Sequence, residues 1–359
     1  MIYVHVPFCR SFCTYCGFYS ELAPPCSPAP EAWLNDLCKE IEARREEIAD
    51  TLAVNTLYIG GGTPSTLPPE YLRRIVDTLG YGPYEEFTVE VNPEDIVEKG
   101  PAYVRSLTEL GVNRISMGVQ SLDDGVLRWM NRRHSADGAR EAYRILRDVI
   151  LSEPPVIPSE PPVILSEPPV ILSLPKDLSL SVDIITGVPG MSDEMLQSTV
   201  DEVISWRPEH ISAYQLSIDE GSALPEMIAR GDVREAPEED CRRQYEMLCR
   251  RLRAAGYRHY EISNWALPGR QAVHNSAYWT RQPYAGLGPG AHSFRIFPDG
   301  RQVRSWNSER ACGWTAAGSE TLSPEEIREE EIMLAARTDR GPIPEKDWFI
   351  ADEIIASLL

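Results

Sequence analysis

Cys9, Cys13 and Cys16 stand in C-R-S-F-C-T-Y-C, directly after the apolar run Ile2-Tyr3-Val4-His5-Val6-Pro7. Three thiols this close in sequence are a ligand set for soft metals, iron–sulfur clusters and zinc above all. A four-iron cluster is usually held by four cysteines, so three would leave one iron open to a small molecule. Zinc is the rival occupant, although its sites favour paired C-x-x-C knuckles with a second pair downstream. The other cysteines (Cys26, Cys38, Cys241, Cys249 and Cys312) are scattered singly. A disulfide framework is the third reading, but a chain of 359 residues can bury a full core without staples.

The formal charge is −20, with acid crowded at Glu325, Glu326, Glu329, Glu330 and Glu331. Phosphate backbones would be repelled, so a nucleic-acid partner is not expected. The acidic run reads as a solvated helix face, with docking of a cationic partner as the alternative. No charged segment precedes the N-terminal apolar run, which is short and ends at Pro7, so neither a signal peptide nor a membrane span is expected. A cytoplasmic, reducing location follows, and clustered cysteines there bind metal or do redox chemistry.

The elements that must position the thiols alternate along the chain. Strands are expected at 2–6, 56–59, 87–91, 114–118, 181–185 and 211–216, and amphipathic helices at 31–49, 69–79, 139–149, 193–206 and 238–255. Strands separated by helices make βαβ units and a parallel sheet, here a partial (β/α)6 barrel within an α/β fold. Barrel chemistry gathers where strands run out into loops. The cysteines follow the first strand and Gly60-Gly61-Gly62-Thr63-Pro64 the second; Glu90 and Asn92 close the third, Gln120 follows the fourth, and Asp183 lies in the fifth. The barrel is expected over 1–300. A low-complexity insert at 151–177 holds three tandem copies of S-E-P-P-V-I-x, beginning at residues 152, 159 and 166. Two prolines per repeat forbid a continuous helix, so polyproline-like or disordered chain is expected at the barrel floor, away from the site. Residues 301–359 are read as a linker and a small, truncated, winged-helix-like helical domain.

The segment Tyr3-Val4-His5-Val6-Pro7-Phe8-Cys9 with C-x-x-x-C-x-x-C resembles the start of the radical S-adenosylmethionine (SAM) superfamily, in the branch of the oxygen-independent coproporphyrinogen III oxidases and their relatives. The match runs to about residue 295, apart from the insert. The resemblance implies a [4Fe–4S] cluster on Cys9, Cys13 and Cys16, with the amino and carboxylate groups of SAM on the fourth iron. It implies Gly61, Gly62 and Thr63 against the methionine end of SAM, and Tyr3, Glu90, Gln120, Arg132 and Asp183 as further SAM contacts. Glu90 and Asp183 can accept hydrogen bonds from ribose hydroxyls or an ammonium, and Arg132 can pair with a carboxylate through two bonds.

Within the branch, the oxidases carry a further cysteine two residues after the third, where this chain has Phe18. They also have an extension before the cysteine strand, absent here. His274-Asn275-Ser276-Ala277-Tyr278-Trp279 resembles the H-N-x-x-Y-W motif of the HemW-type heme chaperones, which implies heme binding and delivery to respiratory acceptors, with peripheral membrane contact through them. His274 is the expected heme contact, since imidazole is a common axial ligand; the alternative is a loop histidine that caps backbone. His292 in a glycine-rich segment is a rival, and His5 reads as structural. Thr186 stands where an aromatic is usual, the repeats are foreign to the family, and the chain stops at Leu359 where relatives continue. The functional expectation is a heme chaperone, with coproporphyrinogen oxidation as the alternative.

Overall fold

A computed structural model describes residues 1–24, 27–152 and 178–358; the tandem repeats beyond their first residue, Ser152, lie outside the described residues. The six expected strands are present as β1 (Ile2–Val6), β2 (Thr56–Gly61), β3 (Glu86–Val91), β4 (Arg114–Gln120), β5 (Ser179–Thr186) and β6 (His210–Gln215), all parallel and paired in sequence order. Between them run α1 (Ala29–Ala43), α2 (Pro69–Leu79), α3 (Pro93–Glu109), α4 (Ala136–Ser152) and α5 (Asp193–Trp206), with α6 (Glu238–Ala254) after β6. The helix expected over 31–49 is interrupted at Arg44. Its guanidinium holds Glu40 and Glu47 and also reaches the Gly286 carbonyl and the Ser293 hydroxyl, each at 2.8 Å.

Three further short strands extend the sheet to nine. After β6 the chain makes β7 (Arg258–Glu261) and β8 (Asn264–Ala266), antiparallel to each other, with β8 antiparallel to β6. The helix α7 (Val273–Trp279) then leads to β9 (Ala285–Leu287), which lies parallel outside β1. Strands of three or four residues are too short for a period-2 signal, so sequence reasoning passed over them.

Register explains both faces of the sheet. Val4, Ile59, Val89, Ile115 and Leu180 are neighbours across five strands and are fully or almost fully buried in the core under the helices. The alternate residues are polar and line the inner face: Tyr3 beside Tyr58 beside Thr88 beside Arg114, and Glu90 beside Ser116 beside Ser181 beside His210. Successive strand side chains point to opposite faces, so this alternation hollows the barrel rather than filling it.

Residues 302–321 are not a linker. β10 (His292–Ile296), β11 (Gln302–Asn307) and β12 (Ala316–Thr321) form an antiparallel sheet that straddles residue 300. A helical part follows as α8 (Pro324–Ala336) and α9 (Ala351–Leu358), around a small core of Ala336, Ile343, Trp348, Ala351 and Ile355. Ser323 caps α8 by accepting from the Glu326 amide, while Glu326 accepts from the Ser323 amide.

Candidate functional site

A cavity of about 560 Å³ runs through the barrel, from the ends of the strands at the mouth to Glu86, Arg114 and His210 at the floor. Glu90 stands four positions on from Glu86 along β3, which makes the lumen roughly 13 Å deep between those layers.

The cysteine loop hangs over the mouth. Phe8–Cys9 pairs with Glu21–Leu22, and the loop is pinned by Thr14, whose amide and hydroxyl donate to the Met130 and Trp129 carbonyls, and by Asn131, which donates to the Phe12 carbonyl at 2.7 Å. Cys9, Cys13 and Cys16 are free thiols, partly exposed. Cys9 Sγ lies 3.6 Å from the Thr63 hydroxyl and Cys13 Sγ 3.5 Å from Arg132 Nη1. Burial raises the Cys9 thiol and pushes Cys16 up to about 11. A metal must therefore displace protons at Cys9 and Cys16, where the charge of the nearby Arg132 guanidinium opposes the effect of burial. Among the described residues, no three Cys, His, Asp or Glu side chains converge on a single-ion position. Three unpaired thiols on one pinned loop, with a cation beside them and an open cavity below, fit a multinuclear, anionic thiolate-bound group.

The glycine turn after β2 supports that loop from beneath. A Cβ on Gly62 would stand 2.7 Å from the Phe8 carbonyl oxygen and 2.9 Å from that of Val6, and one on Gly61, at φ +109°, would strike the His5 ring at 2.6 Å. Close approach to β1 and its following loop is thus the local reason for glycine. The amides of Gly61, Gly62 and Thr63 are occupied by Glu90, Val6 and Phe8 respectively. The turn still lines the cavity.

Glu90 and Asp183 face the lumen from β3 and β5. Glu90 accepts from the Tyr58 hydroxyl at 2.6 Å and the Gly61 amide at 3.1 Å; burial raises its pKa to about 7, and the charge of Asp183 adds to the shift. Asp183 accepts from Ser116 at 3.0 Å, and burial raises it to about 6. Both are acceptors poised for a cationic or hydroxyl-bearing ligand. Arg132 is held over them by the Asn92 side chain at 2.7 Å and the Gly118 carbonyl at 2.8 Å. Gln120 ends β4 in the left-handed region, φ 64°, and its amide packs over Gly118. Tyr3 pairs its hydroxyl with His5 Nδ1 at 3.0 Å, while His5 Nε2 meets the Tyr19 carbonyl.

His274 sits apart from this mouth group. It lies on α7 against the start of β2, is 2% exposed, and has Nδ1 on Thr56 at 2.8 Å and Nε2 on the Tyr278 hydroxyl at 3.1 Å. Burial lowers it to about 3, so the ring is neutral with both nitrogens engaged. His292 is exposed on β10 and stacks on Trp306.

Sequence reasoning missed the polar rows that line the lumen: Tyr58, Thr88, Ser116, Ser181, Ser212 and Tyr214 all face it. Their signal was available as strict alternation in E-F-T-V-E-V, R-I-S-M-G-V-Q and S-L-S-V-D-I. The buried Glu86–Arg114 pair at 2.9 Å was also missed; Glu86 accepts from the Val273 and His274 amides and so anchors α7 to the floor.

Comparison with known proteins agrees with this geometry. Residues 3–162 match the family model of the radical SAM superfamily. A heme chaperone HemW of Mycobacterium tuberculosis is 32% identical over 350 residues, covering 95% of this chain and 82% of that protein. The heme chaperone HemW of Bacillus subtilis is 28% identical, covering 94% and 83%. Among solved structures, the coproporphyrinogen III oxidase HemN of Escherichia coli, a radical SAM enzyme, superposes with a TM-score of 0.71 at 18% identity, over 94% of this chain and 75% of that one, a likeness of fold. With a cysteine triplet, glycine turn and lumen carboxylates set at one barrel mouth, this chain belongs to the HemW family of the radical SAM superfamily.

Proposed function

We propose that this chain is a heme chaperone that carries a [4Fe–4S] cluster on Cys9, Cys13 and Cys16, binds SAM in the barrel lumen, and hands heme to acceptor proteins. The observation that carries the reading is the meeting of the thiol loop, Arg132, Gly61–Thr63, Glu90 and Asp183 around one cavity mouth. A [4Fe–4S] cluster held by Cys9, Cys13 and Cys16 would supply a Lewis-acidic iron to which SAM could bind. The residues do the positioning. Arg132 stands between Cys13 and the lumen and can pair with a carboxylate. Glu90 and Asp183 accept hydrogen bonds from hydroxyl or ammonium groups, and their ionised forms offset positive charge. Tyr3 and Gln120 close the remaining sides of the mouth. With the turn's amides engaged and the Thr63 carbonyl taken by Thr66, Gly61 and Gly62 offer a ligand carbonyl oxygens, acceptors suited to an ammonium.

Heme handling is the reading taken over oxidase chemistry because the HemW relatives cover nearly the whole chain and Phe18 stands where the oxidase pattern has a further cysteine. Acceptors would be respiratory heme proteins, met in the cytoplasm or at the membrane surface; among the described residues no helix is long and apolar enough to cross a membrane. His274 and Tyr278 would shape the lumen wall nearest the floor.

Anaerobic reconstitution followed by separate heme and coproporphyrinogen assays tests the proposal. Saturable one-to-one heme binding without multiple-turnover protoporphyrinogen formation is expected. Turnover with SAM and a reductant would overturn the chaperone assignment.

A further inference from the structure

The rim of the lumen carries apolar groups that the core does not use. Phe18, 73% exposed, lines the mouth from the cysteine loop, and Phe12 on the same loop is 49% exposed. Across the opening, Tyr214 lines the mouth from the end of β6, with Ile218 exposed just beyond. The two loops meet: a Cβ on Gly17 would stand 2.6 Å from Asp219 Cβ and 3.3 Å from the Glu220 carbonyl oxygen. Aromatic and aliphatic groups from both sides thus border one opening, and exposed apolar groups gathered at a polar cavity mark a binding surface. Arg133 lines the same rim; it is exposed and makes no ion pair among the described residues, whereas Arg10 beside it is held by Glu98 and Asp95. An apolar rim with an exposed cation that is in no ion pair, on a chain of charge −20, suits a flat apolar ligand that carries carboxylates.

We propose that heme seats across this mouth, its macrocycle against Phe18 and Phe12 and a propionate at Arg133, rather than at His274. The inference rests on the heme-chaperone reading. His274 has both ring nitrogens engaged and is 2% exposed, so iron ligation there would break a buried hydrogen bond. A heme at the rim also roofs the lumen, so a ligand already inside exchanges slowly until the heme leaves.

The test uses the full chain with its cluster, hemin as the probe, and the variants Phe18→Ser, Arg133→Gln and His274→Gln, with Ile296→Ser as an exposed apolar control remote from the mouth. Removing a large apolar contact should weaken binding about tenfold in Phe18→Ser, with a smaller loss in Arg133→Gln and none in Ile296→Ser. Iron content and thermal midpoint confirm that each variant is folded. A second readout is release of labelled SAM, which heme should slow in the parent and not in Phe18→Ser. Parent-like affinity in Phe18→Ser, or loss confined to His274→Gln, would overturn the placement and leave the chaperone reading standing. Absence of heme binding by the parent would overturn both.

Discussion

Single residues at the mouth carry opposing electrostatic demands. Cys9 and Cys16 sit where burial disfavours thiolate, and the charge of Arg132, whose guanidinium lies 3.5 Å from Cys13 Sγ, offsets part of that cost at both. Cys13→Ser removes one of three ligands and should abolish iron retention and visible absorption with little change in the folded barrel; retained iron would contradict the ligand assignment. Glu90 gives a sharper pH prediction. Burial raises its pKa to about 7, above the ordinary carboxyl value, so between roughly pH 4 and 7 the folded protein holds a proton that the unfolded chain has released. That contribution favours folding at low pH and is lost as pH rises through 7. Glu90→Gln should therefore flatten the fall in stability between pH 5 and 8 and stabilise the ligand-free protein at pH 8 by up to about 3 kcal/mol, while weakening SAM. Urea midpoints at the two pH values, with SAM titration, check both halves. A variant less stable than the parent at pH 8 would mean that the bonds from Tyr58 and Gly61 outweigh desolvation.

At the scale of elements, the loops after β1 and β2 are one packed unit, and glycine is what lets them touch. Gly62→Ala places a methyl among three backbone atoms, Phe8 O, Phe8 N and Val6 O, all within 2.9 Å. Backbone cannot rotate aside, so the substitution should cost about 1–3 kcal/mol and loosen the cysteine loop. A lower thermal midpoint with reduced cluster retention is the expected pair of results; an unchanged midpoint would show that the turn has slack. Much of this arrangement was legible beforehand, because β1 to β6 are long enough to show apolar runs, and cysteines, glycines, carboxylates or Gln120 stand in or just after the first five. The lumen was not read, although Thr88, Ser116 and Ser181 alternate with buried Val89, Ile115 and Leu180. Strands β7 to β9 were illegible for a different reason: three or four residues carry no period, and only tertiary pairing defines them. The break in α1 depends on Arg44 reaching Gly286 and Ser293, more than 240 residues away, which no local propensity encodes.

The whole molecule is organised by what happens to the two edges of an unclosed sheet. Unpaired strand edges template aggregation unless they are covered. On one side, β9 is followed by β10, and a Tyr284–Phe294 bridge leads into the small antiparallel sheet. On the other, the chain after α8 lies along β7: Glu261 bridges Thr338, the Ile262 amide donates to the Arg337 carbonyl at 3.0 Å, and the Asp339 amide donates to the Tyr260 carbonyl at 3.1 Å. The helical part is clamped there by His259, whose ring stacks on Trp265 at 4.0 Å, meets Trp348 edge-on at 4.4 Å, and bonds Glu345 at 2.8 Å. Trp348 is 1% exposed and belongs to a core separate from that of the barrel. Truncating such a residue costs about 3–5 kcal/mol, more than so small a core is expected to hold in reserve. In Trp348→Ala, amide exchange should therefore accelerate over 324–358 and along β7, while β1 to β6 keep their protection and SAM still binds. Uncovering β7 should also shift the protein to larger species on size exclusion. Equal acceleration across β1 to β6 would show that the helical part and the barrel unfold as one unit, and that the C-terminal segment supports the site rather than only guarding the edge.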